Sequence, residues 1–276
     1  MTIPVLPVGD APAPRSLGVH PLGEAPLVVI DAQRHAAQIA LRRRLLDEDH
    51  DARFAALPGT GDAQRVALAL ILADLERHGV ALGAPAVLPD PLDWAGRQVV
   101  EDLLLLDVTD ERVPLVAGSL CFPNGWTLRA ALGRPFAGIH APVPGFEEAI
   151  GAAALALMRR LRPARPVWRA NWTLRTTDAL DMSPGVALPP PPEDAGEVMV
   201  RVERQTLSRL PGCGAVLFTV HTRSRPLSEV AADPVRARRL LAALEGMPAA
   251  IRDYKAIGSL VDPVTRYLET RLTIPS

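Results

Sequence analysis

The chain has 276 residues, of which 48% are hydrophobic and 22% are charged, and its formal net charge is −1. This length and composition suit one large domain, or one domain with a helical appendage. The balance of 30 basic against 31 acidic residues lacks the electrostatic footprint of a protein that binds nucleic acid or an anionic membrane. We therefore expect no nucleic acid and no membrane among its partners.

Cysteine usage and the start of the chain bear on its compartment. Cys121 and Cys213 are the only thiols, enough for one disulfide but not for a disulfide framework or a four-thiolate cluster. The first ten residues lack the basic and apolar regions of a signal peptide. Apolar runs stop short of the roughly 20 residues that a membrane span needs. These features predict a cytoplasmic protein.

The first third of the chain is predicted to be a helical arm. A segment rich in Pro, Gly and Ala precedes a helix predicted at 32–46. A second helix, predicted at 62–78, has a wide apolar face and ends at Gly79. A short turn or helix is expected at 90–100. We assign residues 1–95 to this N-terminal segment.

A sheet is predicted over residues 96–227. Its first two strands, 103–108 and 113–122, are short apolar runs that would pair as an antiparallel hairpin. A helix at 146–161 separates them from three further strands, 167–176, 197–206 and 215–222. Two strands, a helical crossover and three strands is the order of a PAS-type sheet. Residues 228–276 are predicted to form C-terminal helices, at 228–244, 248–254 and 263–271. The predicted fold is α+β: a PAS-like five-stranded antiparallel sheet with a helical crossover, an N-terminal helical arm and C-terminal helices.

The most constrained stretch lies between the second and third predicted strands, from Cys121 to Phe146. Proline fixes φ and glycine permits positive φ, so this backbone is expected to be rigid and irregular. Pro142 and Pro144 bias the residues before them away from the α region, which places His140 in or beside an extended segment. A histidine held on a rigid loop among apolar residues suits a metal or haem ligand. The alternative is a buried histidine satisfied by a backbone carbonyl.

Alternation along the fourth predicted strand sorts its side chains. Arg204 shares a face with the apolar row Val198, Val200 and Val202, whereas Arg201 points the other way. An arginine that ends an apolar row is expected on the core side, where it needs a carboxylate, phosphate or propionate partner. A salt-bridge ladder on a solvated face is the alternative.

The third predicted strand carries two tryptophans at a spacing of two. Trp168 and Trp172 form one row, and Arg169 and Asn171 form the other, which is expected to look outward. A tryptophan row suits either a protein core or a wall beside a flat macrocycle.

The six histidines never stand at close metal-ligand spacing. His221 alternates with Val220 and Thr222 on the last predicted strand and could face either side. No dinucleotide fingerprint, Walker sequence, zinc-protease motif or nucleophile elbow is present.

At these residues the sequence resembles the α-subunit of haem-dependent oxidative N-demethylase. The resemblance covers roughly residues 95–245 and is carried by four motifs: Cys121–Trp126, Ile139–Pro144, Arg169–Trp172 and Arg201–Leu207. It implies a PAS-like fold that binds haem b and oxidises dimethylamine with O₂. It also implies partner subunits that supply electrons through a flavin and an iron–sulfur centre.

The resemblance further implies roles for named residues. His140 would be the proximal iron ligand, and Arg204 would have a propionate or distal role. His221 stands where the family pattern leads us to expect an arginine, so a distal position would alter the amine substrate. The other expected haem contacts are Phe122, Trp126, Pro142 and Trp172.

The electron source is expected to lie outside this chain. Two cysteines cannot hold a Cys₄ iron–sulfur cluster, and no flavin or NAD fingerprint is visible, so FMN and a 2Fe-2S centre are expected on partner subunits. The expected activity is oxidation of a small secondary methylamine to formaldehyde and a smaller amine. The alternative is a non-catalytic haem PAS protein that binds a gas or another ligand. The short C-terminal helices, which lack heptads, favour the enzyme.

Overall fold

A computed structural model describes residues 17–29, 35–83 and 89–273. Its centre is one antiparallel sheet whose strands lie in the order β1-β5-β6-β7-β3-β4-β2. The strands are β1 His20–Pro21, β2 Phe54–Ala56, β3 Asp102–Asp107, β4 Leu115–Ser119, β5 Val167–Arg175, β6 Met199–Arg209 and β7 Ala215–Pro226. The α+β class and the antiparallel pairing are as predicted.

The prediction of five strands was wrong, because the sheet has seven strands within the residues that the structure describes. The five predicted strands are all present, and β3 and β4 pair as the expected hairpin. The two additional strands come from the N-terminal segment and extend opposite edges of the sheet, since β1 pairs with β5 and β2 pairs with β4. Strands of two and three residues are too short to show alternation in the sequence, so only their pairing reveals them.

The helices of the N-terminal segment are α1 Ala36–Glu48, α2 His50–Arg53, α3 Gly61–Arg77 and α4 Pro91–Gly96. The predicted start of the first helix, at residue 32, lies outside the described residues. Gly79 follows α3 with φ +84°, the left-handed conformation that glycine adopts without strain. Leucines of α1 and α3 pack with Leu103, Leu105 and Leu217 in one buried cluster.

Residues 123–161, which we call the crossover, connect β4 to β5. They contain α5 Leu128–Ala131, α6 Phe136–His140, a π-helical turn at Glu147–Gly151, and α7 Ala152–Arg160. The expectation of extended backbone around His140 was wrong, because His140 is the last residue of α6. Ala141 keeps helical dihedrals, φ −53° and ψ −31°, although it precedes a proline. A turn closed by Val143 N–H and the His140 carbonyl at 2.9 Å holds it there.

The C-terminal part of the chain forms α8 Leu227–Ala231, α9 Pro234–Glu245, α10 Ala249–Tyr254 and α11 Gly258–Thr273. The single helix predicted at 228–244 is divided at Asp233. Its carboxylate accepts hydrogen bonds from the backbone N–H groups of Val235 and Arg236, at 2.9 and 3.3 Å, and Pro234 begins α9. None of the described helices combines the length and apolar character that crossing a membrane requires.

The sheet is covered on both faces. The crossover packs on one of them, which we call the crossover face, through Leu128, Met158, Leu104 and Leu207. The opposite face receives the N-terminal helices at β3 and β4. Over β5 and β6, the C-terminal helices cover this same face and pack against Leu174 and neighbouring apolar residues. Both rows of β6 are therefore covered by protein.

Candidate functional site

The polar side chains of three adjacent strands meet on the crossover face. In the β5–β6 ladder, Arg169 lies opposite Gln205, Asn171 opposite Glu203, and Thr173 opposite Arg201. The row continues onto β7, where Thr222 lies opposite Glu203 and Ser224 opposite Arg201. Because alternate residues of a strand share a face, all these side chains lie on the side of the sheet that the crossover covers.

His140 lies at the end of α6 in an aromatic setting. Its ring is stacked on Phe146 at 4.4 Å between centroids, and the Phe136 ring lies 4.2 Å away. Nδ1 is 2.9 Å from the Phe136 carbonyl, so the Nδ1–H tautomer donates this bond and leaves a lone pair on Nε2. Burial lowers the pKa of His140, and the Arg169 charge lowers it further. A neutral imidazole with a free Nε2 lone pair is the form that binds metals.

The motif Cys121–Trp126 fastens the start of the crossover to the sheet. Asp102 accepts hydrogen bonds from the backbone N–H groups of Cys121, at 2.7 Å, and Phe122, at 3.2 Å. Arg201 donates to the Phe122 carbonyl at 2.9 Å, and Arg175 donates to the Asn124 side chain at 2.5 Å. These bonds give the motif a positioning role.

Buried positive charge accumulates on the crossover face. Burial lowers the pKa values of Arg169, Arg175 and Arg201. Arg201 donates to four backbone carbonyls, which accept hydrogen bonds but carry no compensating charge. Arg169 differs from it, since no nitrogen of its guanidinium is hydrogen-bonded to a described residue. The only carboxylate on β5, β6 and β7 is Glu203.

Glu203 is held by two amide side chains. Gln205 donates to its Oε2 at 3.1 Å and Asn171 donates at 3.5 Å. Lys255, just after α10, contacts one of these amides, Asn171, from the edge of β5. Its Nζ lies 2.6 Å from the Trp172 carbonyl and 3.4 Å from the Asn171 Oδ1. Burial lowers the pKa of Lys255 to about 8, although Glu203 favours its charged form. A carboxylate and a weakly basic amine therefore share this part of the face.

This face fits a haem group. Five buried polar atoms of its strands have no hydrogen-bond partner among the described residues: the Nε atoms of Arg169, Arg175 and Arg201, and the hydroxyls of Thr222 and Ser224. Buried cations without a counter-charge are costly, so an anionic group such as a propionate would stabilise them. A flat macrocycle would also suit the apolar side chains of α6 and α7, and the Nε2 of His140 would be available as a ligand to its iron.

Two predicted site residues lie on the opposite face. Arg204 is buried as predicted, but its guanidinium donates to the backbone carbonyls of Pro26 and Leu27. Arg204 therefore lies on the face of the sheet opposite the crossover that carries His140, and its pairing with a haem propionate or a distal ligand stays a prediction. His221 lies opposite Arg204 in the β6–β7 ladder and shares its face, so it does not face His140 across a common ligand. Alternation identified the two rows of β6 correctly, but not which row faces the crossover.

The remaining predicted haem contacts are spread over three regions. Trp126 packs on the same side of the sheet as His140. It belongs to the buried cluster that Leu104, Leu128, Met158 and Leu207 form between the crossover and the sheet, which we call the crossover cluster. Phe122 is buried in the apolar cluster between the N-terminal helices and the sheet, beneath the Arg42 guanidinium. Trp172 packs with the C-terminal helices, and Pro142 is exposed. The structure thus places Trp126 on the same side of the sheet as His140 and Pro142 in the turn that follows His140, whereas Phe122 and Trp172 pack in other clusters.

Sequence reasoning missed Glu203 and Lys255 and placed Arg169 outward. A signal for them exists in the strand pattern, since Arg169, Asn171, Arg201 and Glu203 are the polar rows of two adjacent strands and are in register. Both faces of these strands are covered, so a polar row on one of them is a candidate for the lining of a site. Lys255 carries a simpler signal, because it is the only lysine in the chain.

A comparison with known families adds to this geometry. A family model described as haem-dependent oxidative N-demethylase, alpha subunit-like, matches residues 80–265, more than half of the chain. The matched region contains the whole crossover, β3 to β7, and all the polar side chains gathered on the crossover face. The resemblance carried by the four sequence motifs is confirmed, and the chain belongs to the haem-dependent oxidative N-demethylase α-subunit-like family.

Proposed function

We propose that this chain is the catalytic subunit of an oxidative N-demethylase that binds haem b between the crossover and the crossover face. In this proposal the core is PAS-like, and the substrate is a small secondary methylamine such as dimethylamine, which is oxidised with O₂ to formaldehyde and a smaller amine. The observation that carries the proposal is the buried guanidinium of Arg169, whose charge acts on His140 and which has no hydrogen bond to a described residue.

His140 would be the proximal ligand. Its Nδ1–H bond to the Phe136 carbonyl fixes the tautomer and leaves the Nε2 lone pair to bind a metal, and the rings of Phe136 and Phe146 restrict rotation of the imidazole. Arg169 would pair with a propionate, since its guanidinium is the cation on this face that lacks hydrogen bonds to described residues. When bound, the haem would supply the O₂-activating chemistry that side chains lack.

Glu203 would bind the substrate amine. A secondary amine is an ammonium ion at neutral pH, and a carboxylate is the side chain that pairs with it. The amide donors of Gln205 and Asn171 orient the Glu203 carboxylate and stabilise its charge. Once the ammonium ion is bound, Glu203 can accept its proton, which frees the nitrogen lone pair next to the methyl group to be oxidised.

Electrons would come from partner subunits that carry FMN and a 2Fe-2S centre. The chain has two cysteines, and both are free thiols, Cys121 buried and Cys213 partly buried. A Cys₄ cluster needs twice that number. A reductase system is therefore an essential part of the proposed activity.

The test is titration of the purified apoprotein with haemin, followed by its Soret band. We expect stoichiometric uptake by wild type, and a changed Soret position with at least about tenfold weaker binding for His140→Ala, because the axial bond is lost. Added imidazole should restore the wild-type spectrum. His20→Ala is the matched control, since His20 lies exposed on β1.

Two results would contradict the proposal. One is a folded apoprotein, verified by circular dichroism, that takes up no haem. The other is a His140→Ala variant with a native haem spectrum. If haem binds as expected, dimethylamine turnover with a flavin and iron–sulfur reductase, followed as formaldehyde release, tests the catalytic part.

A further inference from the structure

Lys255 has an unusual position for the only lysine of the chain. It follows α10 and lies at the edge of β5, where β1 covers only Val167 and Trp168. Its Nζ is 2.6 Å from the Trp172 carbonyl and 5.9 Å from the centre of the Trp172 ring. The side chain is thus fixed at the border of the candidate site by the strand itself.

The surroundings of Nζ connect it to the proposed substrate carboxylate. Asn171 accepts from Nζ at 3.4 Å through its Oδ1 and donates to Glu203 at 3.5 Å through its Nδ2. The charged groups that act on Lys255 are Glu203 on β6 and the two arginines Arg169 and Arg175 on β5. The amine therefore lies one side chain away from the place where Glu203 would hold the methylamine.

We propose that Lys255 is a reversible covalent capture site for the small aldehyde that N-demethylation releases. This inference depends on the proposed function for the source of the aldehyde, but not for the reactivity of the lysine. The geometry supports it because a single primary amine borders a site whose product is an electrophilic carbonyl. No other lysine competes for that carbonyl.

The step balances without any oxidant or reductant. The Nζ lone pair attacks the carbonyl carbon of formaldehyde, forming a C–N bond, and one Nζ proton moves to the oxygen to give a carbinolamine. Loss of the hydroxyl as water then gives an imine, and addition of water reverses both steps.

The protonation state favours this reaction at neutral pH. Burial and the two arginines lower the pKa of Lys255 to about 8, so about a tenth of it is the free amine at pH 7. An ordinary lysine, with a pKa of about 10.4, has less than about a thousandth of its amine free at that pH. Lys255 is therefore expected to react on the order of a hundredfold faster than a free lysine side chain.

The experiment is reductive methylation of the full-length apoprotein at pH 7 with dilute formaldehyde and cyanoborohydride, followed by peptide mapping. We expect Lys255 to be methylated at least about tenfold faster than Nα-acetyl-lysine in the same tube. A bulky aromatic aldehyde should react far more slowly, because the amine is partly buried. Lys255→Arg, which keeps the charge and donors, should lose the label at this peptide only.

Labelling of native Lys255 no faster than acetyl-lysine would overturn the inference, as would equal rates for the native and urea-unfolded protein. These measurements need neither haem nor turnover. Failure here would leave the haem proposal standing, and failed haem uptake would leave the reactivity of Lys255 unchanged.

Discussion

Arg169 and Arg201 lie on the same face of the sheet, but their charges are accommodated differently. Arg201 is almost completely buried, and its terminal nitrogens donate to the carbonyls of Ala179, Leu180, Phe122 and Pro123. Its role is to join the crossover and the following loop to β6. Arg169 has no hydrogen bond from any guanidinium nitrogen to a described residue, and its charge acts on His140. It is the arginine that remains available for a ligand.

Replacing Arg169 should separate haem binding from stability. Arg169→Gln is expected to weaken haem binding by about tenfold or more, because a propionate loses a charged partner worth roughly 1.5–3 kcal/mol. The apoprotein should keep or raise its melting temperature, because a partly buried charge without a counter-charge has been removed. Haemin titration and thermal denaturation measure the two effects.

Two controls define the Arg169 prediction. Arg65→Gln on the exposed surface of α3 should change neither property. Arg201→Gln should lower the melting temperature, since several backbone carbonyls lose a buried donor. Unchanged haem affinity in Arg169→Gln would remove that residue from the haem site.

At the level of elements, the crossover depends on close packing against β4. Gly118 in the middle of β4 has no room for a side chain, because an added Cβ would lie 2.7 Å from a methyl group of Leu128 and 2.8 Å from one of Leu104. Both leucines are buried in the crossover cluster. Glycine at this position allows α5 to approach the sheet.

Gly118→Ala should therefore destabilise the fold by about 1–3 kcal/mol, the usual cost of overpacking a filled core. Urea denaturation measures the change in the free energy of unfolding. Gly258→Ala is the matched control, since a Cβ there meets nothing within 4 Å. It should be neutral or slightly stabilising. Equal stability of Gly118→Ala and wild type would mean that α5 does not pack as described.

The elements that the sequence predicted are those with sustained periodicity. The alternation that predicted a strand at 167–176 corresponds to β5 Val167–Arg175, and the apolar face at 62–78 corresponds to α3 Gly61–Arg77. The short elements β1, β2, α5 and α6 were not predicted, because pieces of two to five residues are fixed by tertiary contacts. The motif Cys121–Trp126 was noticed, but its anchoring by Asp102 and Arg201 depends on contacts across the fold.

The candidate site was predicted only in part for a related reason. His140 was singled out by its constrained, apolar neighbourhood, and the structure places it beside the polar rows of β5 and β6. Arg204 was preferred to Arg169 because it ended an apolar row. In a sheet covered on both faces, however, that row packs on C-terminal helices and the N-terminal segment. The face that carries the proposed haem site is therefore the more polar one, and alternation alone does not identify it.

For the whole molecule, two buried side chains, Glu101 and His221, make the folding stability depend on pH in opposite directions. Both lie on the face of the sheet away from the crossover. Glu101 is fully buried and accepts a 2.6 Å hydrogen bond from Val29 N–H through Oε1, while its Oε2 has no hydrogen-bond partner among the described residues. Burial raises the pKa of Glu101 to about 7. Burial, followed by the nearby charge of Arg223, lowers the pKa of His221 to about 3. The folded state thus favours neutral forms of both side chains.

The direction of each pH effect on stability depends on whether the folded or the unfolded chain binds the proton more tightly. Between about pH 3 and pH 6.5 the unfolded chain protonates His221 and the folded chain does not, so this histidine makes acid destabilising. Between about pH 4.5 and pH 7 the unfolded chain releases the Glu101 proton and the folded chain keeps it, so this carboxyl makes rising pH destabilising. Where the two windows overlap, the contributions of His221 and Glu101 oppose each other.

Glu101→Gln should expose the contribution of Glu101, because glutamine retains the acceptor for Val29 N–H but cannot ionise. The stability of the variant relative to wild type should rise as pH increases from about 4.5 to 7 and then level off, with a total gain of about 2–4 kcal/mol. Urea denaturation at half-unit pH steps measures this difference, and Glu76→Gln on the exposed surface of α3 provides the control. If the stability difference between Glu101→Gln and wild type stays constant with pH, Glu101 ionises normally in the folded protein. The described contact with the N-terminal segment would then not exclude water from the Glu101 carboxyl group.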